Sequence, residues 1–80
     1  MRALGEGDTD ADLAAAVGLT PRQLDVLQLV AAGYTNKEVA SALGIAPKTV
    51  THHLSAVFLV LGVRSRTEAA LWASAHGLAG

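Results

Sequence analysis

Residues 33–50, with the sequence GYTNKEVASALGIAPKTV, decide the fold of this 80-residue chain. Thr35 and Glu38 have the spacing of a capping box, in which the hydroxyl and the carboxylate accept hydrogen bonds from each other's backbone N–H groups. This arrangement starts a short helix, which we expect to stop at Gly44. Pro47 starts the next helix, because proline suits the first helical turn.

Three residues around the turn suit a close pair of helices. Ala40 is small enough to let the helices approach each other, and Gly44 can adopt a positive φ at the turn. Ile45 follows directly and can fill the space between the helices. The segment therefore predicts a tight helix-turn-helix, although any compact helical hairpin can share this pattern.

The flanking sequence predicts two more helices with similar signals at their ends. Thr20 is an N-cap before Pro21 and starts the first helix, which ends at Gly33. Ser65 and Glu68 form a second capping box, which starts a helix ending near Gly77. The helix of residues 47–61 has an apolar stripe, made of Val50, Leu54, Val57 and Leu61. We predict an all-α domain of four helices over residues 19–80, without strands.

Residues 1–18 differ in composition from the rest of the chain. They contain one arginine and four acidic residues, a net charge of −3, whereas residues 19–80 carry five basic and three acidic residues, a net charge of +2. We interpret residues 1–18 as an acidic linker or N-terminal extension, with one helical turn near Asp12–Val17. The mildly basic remainder is the candidate functional domain.

Composition excludes several classes of function. The chain has no cysteine, so disulfides, cysteine-ligated zinc and thiol chemistry are excluded. Its longest apolar run, residues 56–61, is far shorter than the roughly 20 residues of a transmembrane helix. Residues 1–18 lack the features of a secretory signal. We expect a cytoplasmic protein that is not an enzyme, because no catalytic set or phosphate-binding glycine loop occurs and no cofactor is implied.

The sequence from the first predicted helix to the fourth resembles the LuxR/GerE-type helix-turn-helix family of bacterial transcriptional regulators. The resemblance covers about residues 19–78 without gaps and rests on LTPR (19–22), GYTNKEVA (33–40), LGI (43–45), KTV (48–50), His53, LGV (61–63) and SRTEAA (65–70). It implies a four-helix domain with double-stranded DNA as partner. Such domains usually lie C-terminal to a receiver or ligand-binding domain, which suits a linker at residues 1–18. A short stand-alone protein is the other arrangement.

The resemblance also implies roles for individual residues. The helix of about residues 47–61 is the recognition helix in the major groove, with Lys48, Thr51, His52 and Ser55 facing the bases and Thr49 beside them. Thr35, Asn36 and Lys37 lie against phosphate, and Arg64 is a further candidate phosphate contact. The apolar stripe supports the same face, because it turns Thr51, His52 and Ser55 outward. The fourth predicted helix, Thr67 to Ala75, is the expected homodimer contact, with an apolar patch including Val60 as the alternative.

The sequence departs from the family pattern on the recognition helix. Thr51 and Val60 stand where basic residues are common, and Leu59 adds apolar surface. Affinity for DNA depends on the number of phosphates that cationic side chains neutralise, so we expect weak binding per monomer. This departure motivates a second hypothesis, in which the module serves protein–protein association with weak or no DNA binding. A sigma-factor-like promoter-recognition domain is a third, which residues 61–66 fit less well.

Other residues receive structural interpretations. Adjacent helical positions point about 100° apart, so His52 and His53 do not form a chelating pair and no metal site is expected. From the resemblance, His53 is expected to pack or hydrogen-bond against the helix before it. His76 is expected to cap a helix C-terminus, and Trp72 to pack in the core or along the fourth predicted helix. From the resemblance we expect Arg66 to pair with Asp25. Leu24 and Val60 are either a partner-binding patch or ordinary scattered surface residues.

Overall fold

Five α-helices and no strands make up residues 9–78, which are the residues described by the computed structural model. The helices are α1 (Thr9–Val17), α2 (Pro21–Ala31), α3 (Asn36–Leu43), α4 (Pro47–Leu61) and α5 (Arg66–Ala75). The all-α class is confirmed, and the four predicted helices correspond to α2–α5. The predicted count of four omitted α1.

Helix α1 is longer than the single turn expected within residues 12–17. Its Ala14 is buried, and Leu13 and Val17 pack against the same core. These three positions lie on one side of a helix, so two and a half turns gain a packing surface that a flexible segment lacks. The part of the predicted linker formed by residues 1–8 lies outside the described residues, as do residues 79–80.

Helix α2 is the centre of the domain and contacts each of the other four helices. Thr20 caps it as predicted, because its Oγ1 accepts a hydrogen bond from the backbone N–H of Gln23 at 3.1 Å. The Gln23 side chain in turn accepts a hydrogen bond from the backbone N–H of Thr20 at 2.9 Å. The sequence predicts the Thr20 cap, whereas the Gln23 partner is a finding of the structure.

The core consists of two clusters on either side of α2. The first joins α1, α2, the end of α4 and α5, and contains Leu27, Val57 and Ala73 among others. The second joins α2, α3 and the first half of α4, around Val39 and Val50. Phe58 packs against both clusters. The second cluster sets the position of α3 against α4, and therefore of the surfaces that these two helices expose.

The turn between α3 and α4 has the predicted conformation. Gly44 caps α3 with a φ of 69° and Ala40 is buried. The backbone N–H of Ile45 donates to the Ala40 carbonyl at 3.0 Å, and its side chain packs against the second cluster. The helix-turn-helix prediction for residues 33–50 is therefore confirmed at the level of backbone and packing.

The cap of α5 differs in one bond from the predicted capping box. The hydroxyl of Ser65 accepts from the Glu68 N–H at 3.1 Å, as expected. The Glu68 carboxylate accepts from the backbone N–H of Arg64 at 2.8 Å instead of from Ser65. This hydrogen bond extends the cap by one residue toward the N-terminus and holds the connection between α4 and α5.

Candidate nucleic-acid interface

One face of α4 is buried and the opposite face is polar and exposed. Val50 and Leu54 are buried against α2 and α3, and Val57 is buried in the first core cluster, as the apolar stripe predicted. The opposite face exposes the side chains of Lys48, Thr51, His52 and Ser55. The last three lie three, four and seven positions after Lys48, which places all four on one face of the helix. Thr49 lies beside them and is half-buried.

This face presents hydrogen-bonding groups rather than charge. The Thr51 hydroxyl donates to the Pro47 carbonyl at 3.3 Å, so its oxygen lone pairs and its methyl group remain for other contacts. His52 and Ser55 add further hydrogen-bonding groups, and Lys48 is the one lysine or arginine in α4. Such groups can contact base edges by hydrogen bonds and thymine by methyl contact.

The N-terminus of α3 forms a second polar surface. Thr35 Oγ1 accepts from the Glu38 N–H at 3.1 Å, and Glu38 Oε1 accepts from the Thr35 N–H at 2.8 Å, which confirms the predicted capping box. Within residues 9–78, the backbone N–H groups of Asn36 and Lys37 have no acceptor. Free N–H groups at a helix N-terminus attract anions, and the exposed Lys37 adds a positive charge.

Arg66 lies at this surface and not at α2. Its Nη1 donates to Asn36 Oδ1 at 2.6 Å and its Nη2 donates to the Tyr34 carbonyl. The predicted pairing of Arg66 with Asp25 is therefore wrong, and Asp25 instead lies 3.7 Å from Arg22 on its own helix. The first turn of α5 lies close to the loop before α3 because both helices pack on α2. No pattern in the sequence indicates this proximity.

Arg64 lies exposed in the connection between α4 and α5. The Arg64 N–H donates to Glu68, but its guanidinium makes no hydrogen bond or ion pair within residues 9–78. With Lys37 and Lys48 it completes a set of three basic side chains without a protein partner in the part of the chain that is described.

His53 and His76 have different structural environments. His76 is the C-cap of α5, as predicted, and its Nδ1 lies 2.8 Å from the Trp72 carbonyl. The two rings stack with centroids 3.8 Å apart, while Trp72 packs against the first core cluster. His53 is half-buried on α4. Among the residues that the structure describes, no group of three metal-ligating side chains comes together.

Apolar exposure is concentrated on α4 and α5. Leu59 is 84% exposed, Leu71 64% and Val60 38%. Leu59 lies one turn beyond Ser55 and therefore continues the polar face of α4. Leu24 is buried in the first core cluster, so both predictions for this residue, a partner-binding patch and a scattered surface residue, are wrong.

A shallow groove of about 290 Å³ lies between α1 and α2. Its lining is apolar apart from Asp25 and consists of Ala11, Ala14, Ala15, Leu19, Pro21, Leu24 and Asp25. A single carboxylate provides neither a nucleophile with its base nor a metal-ligand set.

No helix in the described range is long and apolar enough to cross a membrane.

Comparison with known proteins supplies the context for these surfaces. The family described as bacterial regulatory proteins, luxR family, matches residues 17–73. The response regulator protein VraR of Staphylococcus aureus (strain Mu3) is 45% identical over 60 residues, which are 75% of this chain and 29% of that protein. The VraR proteins of Staphylococcus saprophyticus and Staphylococcus epidermidis match to the same extent. The chain thus spans less than a third of the length of these relatives.

Proposed function

The chain belongs to the luxR family of bacterial regulatory proteins, and we propose that it binds double-stranded DNA by placing α4 in the major groove. The family and its response-regulator relatives identify a helix-turn-helix DNA-binding domain with a role in transcription regulation, not an enzyme. The observation that carries the proposal is the exposed polar face of α4, whose other face is buried by α2 and α3.

The groove-facing residues are Lys48, Thr51, His52 and Ser55, with Thr49 at the edge. A helix fits the width of the major groove, and its exposed N-terminal half contacts the base edges. Lys48 supplies a donor for guanine, whereas the hydroxyl and imidazole groups accept or donate to several bases. Specificity therefore comes from hydrogen bonds and shape rather than from bidentate arginine contacts.

Phosphate contacts position α4 in the groove. Thr35, Asn36 and Lys37 contact one phosphate through the start of α3, where two backbone N–H groups have no acceptor within residues 9–78. Arg64 contacts a second phosphate from the connection after α4. Within residues 9–78, Arg22 and Arg66 have partners in the protein, so Lys37, Lys48 and Arg64 remain there to neutralise phosphate charge.

So small a number of charges makes a monomer a weak binder, and we propose that the domain acts as a homodimer. The dimer forms through α5, whose exposed Leu71 is an apolar contact, and the alternative surface includes Val60. Two recognition helices then enter the groove about one helical turn apart. Since the relatives are response regulators more than twice as long as this chain, we further propose that a receiver or sensor domain precedes this one in a cytoplasmic protein.

Selection of bound sites from random duplex DNA at low salt tests the proposal. The wild type is expected to enrich a palindromic site, and Lys48→Ala and His52→Ala are expected to weaken its binding. Arg22→Ala is the matched control, because it removes one positive charge that the proposal does not use, that of an arginine paired with Asp25 on α2. A folded wild type that enriches no site overturns the proposal.

Protein–protein association without DNA binding is the second candidate function, and the exposed Leu59 favours it. In this arrangement α4 is buried in a dimer and its polar face is blocked. Crosslinking combined with light scattering distinguishes the two functions, because contacts confined to α5 leave α4 free for DNA. Crosslinks through Leu59 and Val60, together with failed site selection, favour association.

A further inference from the structure

Arg66 joins the first turn of α5 to the residues on both sides of the α3 N-cap. Its guanidinium donates to the Tyr34 carbonyl and to Asn36 Oδ1, and Thr35 lies between these two partners. Thr35 in turn is held by its reciprocal bonds with Glu38. Arg66 therefore holds a segment whose other polar contacts are local, and it does so from 30 or more residues away in sequence.

This contact determines which way the Asn36 amide faces. The amide has an oxygen acceptor and an NH₂ donor on opposite sides, and a guanidinium can only donate. Reversing the amide would place NH₂ against N–H of Arg66, so Oδ1 faces the arginine and Nδ2 faces away. Within the described residues Nδ2 has no acceptor, and the backbone N–H groups of Asn36 and Lys37 are free as well.

We propose that Arg66 is a positioning residue for DNA binding. It orients the Asn36 amide so that Nδ2 and the two backbone N–H groups can donate to one phosphate, and it does not contact DNA itself. This inference rests on the proposed function. It differs from direct contact of a basic residue with phosphate, because two of the five guanidinium N–H groups of Arg66 already donate to acceptors within the protein.

A double-mutant cycle in DNA binding tests the inference, with a labelled mixed-sequence duplex at low salt as the probe. Phosphate contacts do not depend on sequence, so no operator is needed. Arg66→Ala and Asn36→Ala are each expected to weaken binding about fivefold, corresponding to one lost hydrogen bond. The double variant is expected to bind about as weakly as either single variant, because Arg66 acts through Asn36.

Two further variants separate positioning from charge. Arg64→Ala removes the same charge two residues away, and its loss should add to that of Asn36→Ala. Arg66→Lys keeps the charge but lacks the planar fork that reaches two acceptors, so it should bind more like Arg66→Ala than like the wild type. All measurements are made well below the unfolding temperature of each variant, where a purely stabilising residue has no effect on binding.

Each other outcome overturns the inference. Additive losses for Arg66 and Asn36, with a salt slope reduced by about 0.9 in Arg66→Ala, mean that Arg66 contacts phosphate directly. Unchanged binding by the folded Arg66→Ala variant means that the contact only stabilises the fold. If the wild type itself does not bind the duplex, the proposed function fails together with the inference. The NMR signals of the Asn36 side-chain NH₂ then report separately whether Arg66 orients the amide.

Discussion

Gln28 on α2 donates a hydrogen bond from its side-chain Nε2 to Oδ2 of Asp10 on α1, at a distance of 3.0 Å. The contact is partly buried, and it lies beside the packing of Ala14 against the first core cluster. Most of α1 precedes residues 17–73, the segment that matches the luxR family. Polar and apolar contacts together therefore attach an additional helix to the shared part of the fold.

Substitution of Ala14 tests whether α1 contributes to stability. Ala14 is 2% exposed, so Ala14→Glu places a carboxylate in the core and is expected to lower the free energy of unfolding by more than about 2 kcal/mol. Ala16→Glu on the exposed side of α1 is the control and should change it by less than about 0.5 kcal/mol. Urea unfolding followed by circular dichroism measures both. Equal effects would show that α1 is not part of the cooperative unit.

Substitution of Gly44 tests the turn between α3 and α4. A Cβ at Gly44 has no heavy atom within 4 Å, so the cost of Gly44→Ala comes from its φ of 69° alone. We expect a loss of about 1–2 kcal/mol in the free energy of unfolding, and a smaller loss for Gly44→Asn, because asparagine tolerates this conformation. Thermal and urea unfolding provide the comparison. An alanine variant as stable as the asparagine variant contradicts the assigned backbone conformation.

The salt dependence of DNA binding tests the number of phosphate contacts. Lys37, Lys48 and Arg64, the basic side chains without a partner within residues 9–78, each neutralise DNA charge from the groove or the backbone, which predicts a slope of log K against log salt near −3 for a monomer and near −5 for a dimer, from about −0.9 per neutralised phosphate. Fluorescence anisotropy on a fixed duplex gives the slope. Lys37→Ala should reduce its magnitude by about 0.9 per subunit, whereas Arg22→Ala should leave it unchanged. A flat response in the wild type would exclude backbone binding.

Charge introduced at Leu59 distinguishes the two candidate functions. Leu59 is 84% exposed on the polar face of α4, so Leu59→Lys should leave stability unchanged. On the DNA-binding proposal it adds a phosphate contact and strengthens binding at low salt, about fivefold for one charge-assisted contact. Leu71→Lys on α5 is the matched variant and should instead weaken dimer formation, as measured by analytical ultracentrifugation. A Leu59→Lys variant that loses its dimer supports the association hypothesis.

Prediction from sequence succeeded where a residue's role depends on its neighbours along the chain. The capping box of Thr35 and Glu38, the positive φ of Gly44 and the buried stripe of α4 all involve residues within four positions of each other. The family assignment made from the same residues is also confirmed. The proposed contacts to DNA stay predictions, since they concern a partner molecule and not the chain itself.

The sequence by itself determined helices α2–α5, the turn between α3 and α4 and the family, because caps, proline and glycine act through bonds that span three or four residues. Only the tertiary structure decided that Leu24 is buried, that α1 joins the core and that Arg66 binds Asn36 rather than Asp25. Those outcomes depend on which helix faces lie against α2. Contacts between residues 18 to 32 positions apart form only when the helices pack, so spacing along the chain does not reveal them.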